Sequence, residues 1–182
     1  MQPIIFLTGN QNKLKEAKNI LGIEIESVDI DLPEIQTISV KEVIEYKAKE
    51  GYKILQKPLI IEDTGLEIEA WNGLPGALIK WFLKTVGNEG IIEMAKNFPN
   101  KKAKAVCYIG YFDGSRLEIF SGEITGKIAD SPRGENGFGW DKIFILDGYE
   151  KTFAEMKEEE KNVISMRKIA FQKFANFLKN NQ

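Results

Sequence analysis

Residues 59–70 read LIIEDTGLEIEA. Leu59, Ile60 and Ile61 form a short β-prone apolar run, and it leads straight into two adjacent carboxylates, Glu62 and Asp63. Beyond Thr64-Gly65 the pattern alternates, Leu66-Glu67-Ile68-Glu69, so two aliphatic residues face one side of a strand and two acids the other. The four acids therefore divide into pairs. Glu67 and Glu69 belong to a solvated strand face. Glu62 and Asp63 stand at a strand mouth, as solvated turn residues, ligands for a hard cation such as Mg²⁺, or a general base.

Upstream, Ile4–Thr8 is β-prone and ends at Gly9-Asn10, and a helix follows over about Asn12–Leu21 with Gly22 as its stop. Residues 23–30 read as a second strand, and 31–37 as a loop fixed by Pro33. Ser39-Val40-Lys41-Glu42 has the form of a capping box, opening a helix that runs to about Leu55. Its apolar stripe, Val40, Val43, Ile44, Ala48, Tyr52 and Leu55, is interrupted on the same side by Lys47. Downstream, Asn72–Gly76 reads as a turn, and 77–86 and 88–98 as helices. Residues 103–112 and 117–128 form a hairpin through Asp113-Gly114-Ser115. A glycine-rich loop spans 132–139, a short strand 142–146, and a last helix begins near Ser165. This order of elements predicts an α/β fold with a mixed sheet. The 182 residues fit one large domain, or two closely packed lobes, with a real core.

Composition removes several classes of function. There is no histidine, so Ser-His triads, His-metal sites and His bases are excluded, and hydrolysis would need carboxylates, lysines or a metal. With 25 basic and 27 acidic residues, net −2, the balance argues against binding a long nucleic acid through a broad basic field. No apolar run has membrane-spanning length, and MQPIIFLTGN lacks the form of a secretory leader. The single cysteine, Cys107, rules out an internal disulfide and fits a reducing cytoplasm.

Six segments hold residues of a kind that does chemistry. TGNQNKLKE (8–16) places Lys13 at a helix start, where backbone N–H groups attract phosphate, although no Walker A pattern is present and a plain capped turn fits equally. DLPEIQ (31–36) displays Glu34, either as a ligand or as an exposed acid. Lys47 either snorkels to solvent or faces an anion. The Glu62-Asp63 pair is the fourth. GENGFGWDKIF (134–144) sets glycines around Phe138 and Trp140, which suits a stacked ring as well as a hairpin with core aromatics. EKNVISMRKIA (160–170) gathers Lys161, Ser165 and Arg167 at a helix start.

Together with GLPGALIKWFL and TFAEM, these segments resemble, in order from Thr8 to Arg167, the inosine triphosphate pyrophosphatase family. The resemblance implies a long curved mixed sheet with flanking helices and two lobes around a deep central cleft, in a single domain over 1–182. It implies Mg²⁺-dependent hydrolysis of ITP, dITP and XTP to monophosphate and pyrophosphate, which keeps them out of DNA and RNA, by a cytoplasmic homodimer. Carried over by position, Thr8, Asn10 and Lys13 hold the triphosphate with support from Lys47. Glu34, Glu62 and Asp63 serve the metal, and Asp63 is the catalytic carboxylate. Phe138 stacks on the base beside Gly139, Trp140 and Asp141, and Lys161, Ser165 and Arg167 complete its recognition. One position departs: the family's Ser-His-Arg is here Ser165-Met166-Arg167, which removes a donor and puts base selectivity in question. The rival expectations are a pyrophosphatase of other modified or pyrimidine triphosphates, and a nucleotide sensor without catalysis.

Overall fold

The computed structural model describes residues 4–181; the first three residues of MQPIIFLTGN, and Gln182, lie outside it. One seven-stranded mixed sheet organises the chain. Its order is β2 (Glu26–Val28), β1 (Ile5–Leu7), β3 (Leu59–Ile68), β5 (Lys102–Phe112), β6 (Leu117–Ile128) and β7 (Phe144–Leu146), with β4 (Pro75–Gly76) paired to β3. β1 runs parallel to β2 and β3, and the remaining pairs are antiparallel. Strand β2 is shorter than the spacing of residues 23–30 predicts.

Strand β3 differs from its sequence reading in an informative way. It does not end at the acids but continues through them, paired with β5 from Leu59 opposite Phe112 to Ile68 opposite Ala103. Glu62 and Asp63 are therefore mid-strand neighbours, and successive side chains leave a strand on opposite faces. Ile60, Leu66 and Ile68 pack into the larger apolar layer, beside α6 (Met166–Asn180), whose Phe171 and Phe174 are fully buried. Leu59 and Ile61 pack into the smaller layer, against Val40, Ile44 and Ala48 of α2 (Val40–Leu55). Glu62 follows Ile60 towards α6, and Asp63 follows Ile61 towards α2.

Local signals set the helix ends. Asn10 caps α1 (Gln11–Leu21), its side-chain oxygen accepting from the N–H groups of Asn12 and Lys13, and Gly22 stops it at φ 66°. Ser39 caps α2 by accepting from Glu42 N–H at 3.3 Å. The second arm of the expected box is missing, because the Glu42 carboxylate takes the Thr37 hydroxyl instead at 2.8 Å. Helices α3 (Ile79–Thr85) and α4 (Gly87–Ala95) follow a turn containing a cis Leu74–Pro75 bond. A short helix absent from the sequence reading, α5 (Glu158–Ile164), precedes α6 and carries Lys161. Among the described residues, no helix is long and apolar enough to cross a membrane.

Candidate active site

A cleft of about 490 Å³ opens beside the carboxyl end of β1 and the middle of β3. One wall is Thr8–Asn10, Lys13 and Lys47, its floor includes Ile61 and Asp63, and the far wall is α3 with Phe138, Gly139 and Trp140. Thr8 Oγ1 accepts from Asn10 N–H at 3.1 Å and thereby shapes the turn into α1.

Both lysines converge on Asp63. Lys13 Nζ lies 3.1 Å from Asp63 Oδ1 and 3.3 Å from Glu62 Oε2, and Lys47 Nζ lies 3.8 Å from Asp63 Oδ2. Lys47 also pairs with Glu34. Lys47 therefore faces an anionic site rather than snorkelling away, since its side chain is only 13% exposed. Burial alone would raise the Asp63 pKa, but Lys13 and Lys47 outweigh it, together with a hydrogen bond from Thr64 N–H at 2.9 Å, and hold the carboxyl below its usual range. The same pairing acts on Lys13 in reverse. Burial favours its neutral form, and Asp63 and Glu62 override that to keep it firmly protonated.

Behind the cleft, on the other face of β3, lies a buried ion network. Arg167, 1% exposed, donates to Glu62 Oε1 through Nε and Nη2 at 3.3 and 3.2 Å, and its Nη1 pairs with Glu16. Cys107 donates its thiol proton to the same Glu62 oxygen at 3.1 Å. Lys161 bridges Glu16 at 3.1 Å and Asp141 at 2.6 Å. Burial pushes the Asp141 pKa up, with Lys161 opposing it, whereas at Glu16 Arg167 and Lys161 overcome burial and lower it. Phe138 connects this layer to the cleft: the Lys161 ammonium and the Arg167 guanidinium lie 4.9 and 5.5 Å from its ring centroid.

Thr8, Asn10, Lys13, Glu34, Lys47, Asp63, Phe138, Gly139 and Trp140 thus line one cleft. Glu62, Asp141, Lys161, Ser165 and Arg167 do not; they form the layer behind it. Ser165 is fully buried and caps α6, accepting from Lys168 N–H at 3.2 Å. Met166 is also buried in the apolar core. Residues not singled out from sequence include Glu16 in the buried layer, and Asp29, Asp31, Lys80, Leu83 and Lys84 lining the cleft. Glu16 falls at helical spacing after Lys13 and so shares its face of α1, the one local signal that marks it.

Among the described residues, no group of three or more His, Cys, Asp or Glu could by itself hold a metal ion. Glu34 and Asp63 nevertheless stand on either side of Lys47 at the cleft. Two hard oxygen donors fit a cation such as Mg²⁺, which keeps waters and is shared with substrate phosphates.

The model of the Ham1 family matches residues 4–177. A dITP/XTP pyrophosphatase of Methanopyrus kandleri is 47% identical, covering 98% of this chain and 97% of its own. An inosine triphosphate pyrophosphatase of Schizosaccharomyces pombe is 46% identical over 98% and 96%. Solved Ham1 structures from Coxiella burnetii and Staphylococcus aureus superpose with TM-scores of 0.87 and 0.83. They are 28% and 27% identical, and cover 99% and 100% of this chain and 100% of each of theirs.

Proposed function

The chain belongs to the Ham1 family, and from that premise and the geometry of its cleft we propose that it hydrolyses non-standard purine nucleoside triphosphates, ITP, dITP and XTP, to the monophosphate and pyrophosphate. The observation that carries the proposal is the convergence of Lys13 and Lys47 on Asp63 at one end of a cleft whose other end is an aromatic loop. Such a cleft has a polyanion subsite and a ring subsite.

We place the attack at the α-phosphorus, with pyrophosphate as the leaving group, and charge is the obstacle. Lys13 and Lys47 compensate the charge that develops on the leaving group, fixed in place before the reaction begins. Asp63, kept ionised by those lysines, orients the attacking water and accepts its proton. Glu34 and Asp63 are the residues that would hold Mg²⁺, with Glu62 directly behind; the ion when bound supplies further neutralisation of the phosphates. Thr8 and Asn10 present the turn into α1, whose N-terminus favours phosphate.

At the other end, Phe138 offers its ring face to the base, flanked by Gly139 and Trp140. Arg167 engages three of its five N–H groups with Glu16 and Glu62. The remaining two lie in the layer behind Phe138 and become donors for a 6-keto oxygen once the aromatic loop shifts to admit the base, whereas the amino group of adenine would set donor against donor. Asp141, Lys161 and Ser165 hold this arrangement from behind. Burial of Met166 favours a second reading. With no imidazole donor at that position, base selection is relaxed and other modified or pyrimidine triphosphates become substrates.

One panel tests both readings. ITP, dITP, XTP, GTP, ATP and dUTP are incubated with enzyme and Mg²⁺, and pyrophosphate is measured. Preference for the first three is expected; comparable turnover of dUTP would favour the second reading, and release from none would leave a nucleotide sensor. The same family reading makes the protein a cytoplasmic homodimer that sanitises the nucleotide pool, and sedimentation at micromolar concentration checks the dimer.

A further inference from the structure

We propose that Asn88, near the start of α4, is a positioning residue that ties the aromatic loop, residues 137–141, to the α3–α4 side of the cleft. Asn88 Nδ2 donates to the Gly139 carbonyl oxygen at 3.1 Å, a contact spanning 51 residues of sequence. Leu83 of α3 supports the same point, its Cδ1 lying 3.7 Å from where a Cβ on Gly139 would stand. Gly139 has φ +63°, so the backbone turns sharply at the residue after Phe138.

The loop is held unequally on its two sides. Behind it, Phe138 N–H donates at 2.9 Å to Asp141 Oδ2, and that oxygen also pairs with Lys161 at 2.6 Å inside the protein. In front, the neutral bond from Asn88 joins the loop to the start of α4, on the same wall of the cleft as α3. Asn88 Oδ1 is buried with no hydrogen-bond partner. Turning the amide over would not relieve it, because Oδ1 would then face the Gly139 oxygen, acceptor against acceptor. One bond made and one acceptor left unmet roughly offset each other in folding stability. What the contact provides is therefore position: it fixes where the carbonyl next to Phe138 sits, and with it the ring that forms one end of the cleft.

The inference rests on the reading that Phe138 receives the base, and it predicts a selective defect. Asn88→Ala removes the carboxamide, and Asn88→Asp keeps its shape without a donor. In both, the KM for ITP should rise about 5–10-fold, the worth of one hydrogen bond, with kcat within about twofold of the parent. Inhibition by inorganic tripolyphosphate, which occupies only the lysine end, should not change. Amide hydrogen exchange of residues 134–141 in the free protein should quicken in both variants, with Tm unaltered in Asn88→Ala and lowered in Asn88→Asp, whose carboxylate faces the Gly139 oxygen. Unchanged loop exchange, quickened exchange with an unchanged KM, or parallel losses in ITP and tripolyphosphate binding would each overturn the proposal. Should the parent fail to hydrolyse ITP, the proposed function falls, and loop exchange with nucleotide binding by calorimetry still decides the role of Asn88.

Discussion

Asp63 is mostly buried, its side chain 26% exposed, yet two ammonium groups hold it ionised. Its value to the site is a negative oxygen at a fixed place, and Asp63→Asn keeps the shape while removing the charge. Turnover should fall by about 10²–10⁴-fold, the usual worth of a positioned proton acceptor, while nucleotide binding by calorimetry persists. Near-normal turnover in that variant would remove Asp63 from its role. Glu16 is a second carboxylate with a lowered pKa, but in a structural setting. Its charge is stabilised in the fold by Arg167 and Lys161 against burial, so its contribution to stability is present above the ordinary carboxylate range and is lost as pH falls through its lower folded value. Tm should therefore decline as pH drops below about 4.5. Glu16→Gln should flatten that decline while lowering Tm at pH 7, as the two cations lose a partner. An unchanged slope in the variant would mean that other carboxylates carry the acid transition.

At the scale of elements, the decisive join is between β6 and α6. Gly122 on β6 lies under the first turn of α6, and a Cβ there would overlap the Met166 carbonyl oxygen and crowd Ala170 N. Backbone cannot step aside as a side-chain tip can. Gly122→Ala should cost about 3 kcal/mol, at the upper end for overpacking, and would lift Arg167 from Glu62 and Phe138. Thermal unfolding and the KM for ITP should shift together; a Tm close to the parent's would show that α6 can slide without cost. This join also marks where sequence reading stops. Thr8–Lys13, Glu34 and Phe138–Trp140 were legible because each sits in a short motif whose own turn aims it at the cleft. Lys47 was legible as a cation breaking an apolar stripe, with its partner unknown. Which of Glu62 and Asp63 faces the cleft was not legible, because it depends on β3 continuing to Ile68 with α2 on one face and α6 on the other. Nor was the inward turn of Lys161 and Arg167, whose partners Glu16 and Glu62 lie at least 105 residues away. Helix α5 was missed because its sequence, EEEKNVI, shows too little apolar periodicity over seven residues to stand out from a charged loop.

Over the whole molecule, the cleft is balanced in charge. Lys13, Lys47, Lys80 and Lys84 line it, and so do Asp29, Asp31, Glu34 and Asp63. A triphosphate carrying about four negative charges therefore meets no net positive field, in contrast to sites that draw anions by steering. The cations that should receive it are already engaged, Lys13 with Asp63 and Glu62, Lys47 with Glu34 and Asp63. For the phosphates to take the lysines, the carboxylates need another positive partner, and Mg²⁺ at Glu34 and Asp63 meets that need. Nucleotide and divalent cation should thus bind synergistically, each releasing the group the other requires, and linkage makes the factor equal in both directions. The expected coupling is about 5–150-fold, the usual range for linked sites. Calorimetric titration of a non-hydrolysable α,β-imido ITP analogue, with Mg²⁺ and then with EDTA, measures it directly. Glu34→Gln bears on the same point from the protein side. It frees Lys47 in the absence of cation, so it should tighten nucleotide binding in EDTA while weakening the gain from Mg²⁺. Equal analogue affinity in Mg²⁺ and EDTA for the parent would show that the ion pairs of the cleft do not compete with substrate.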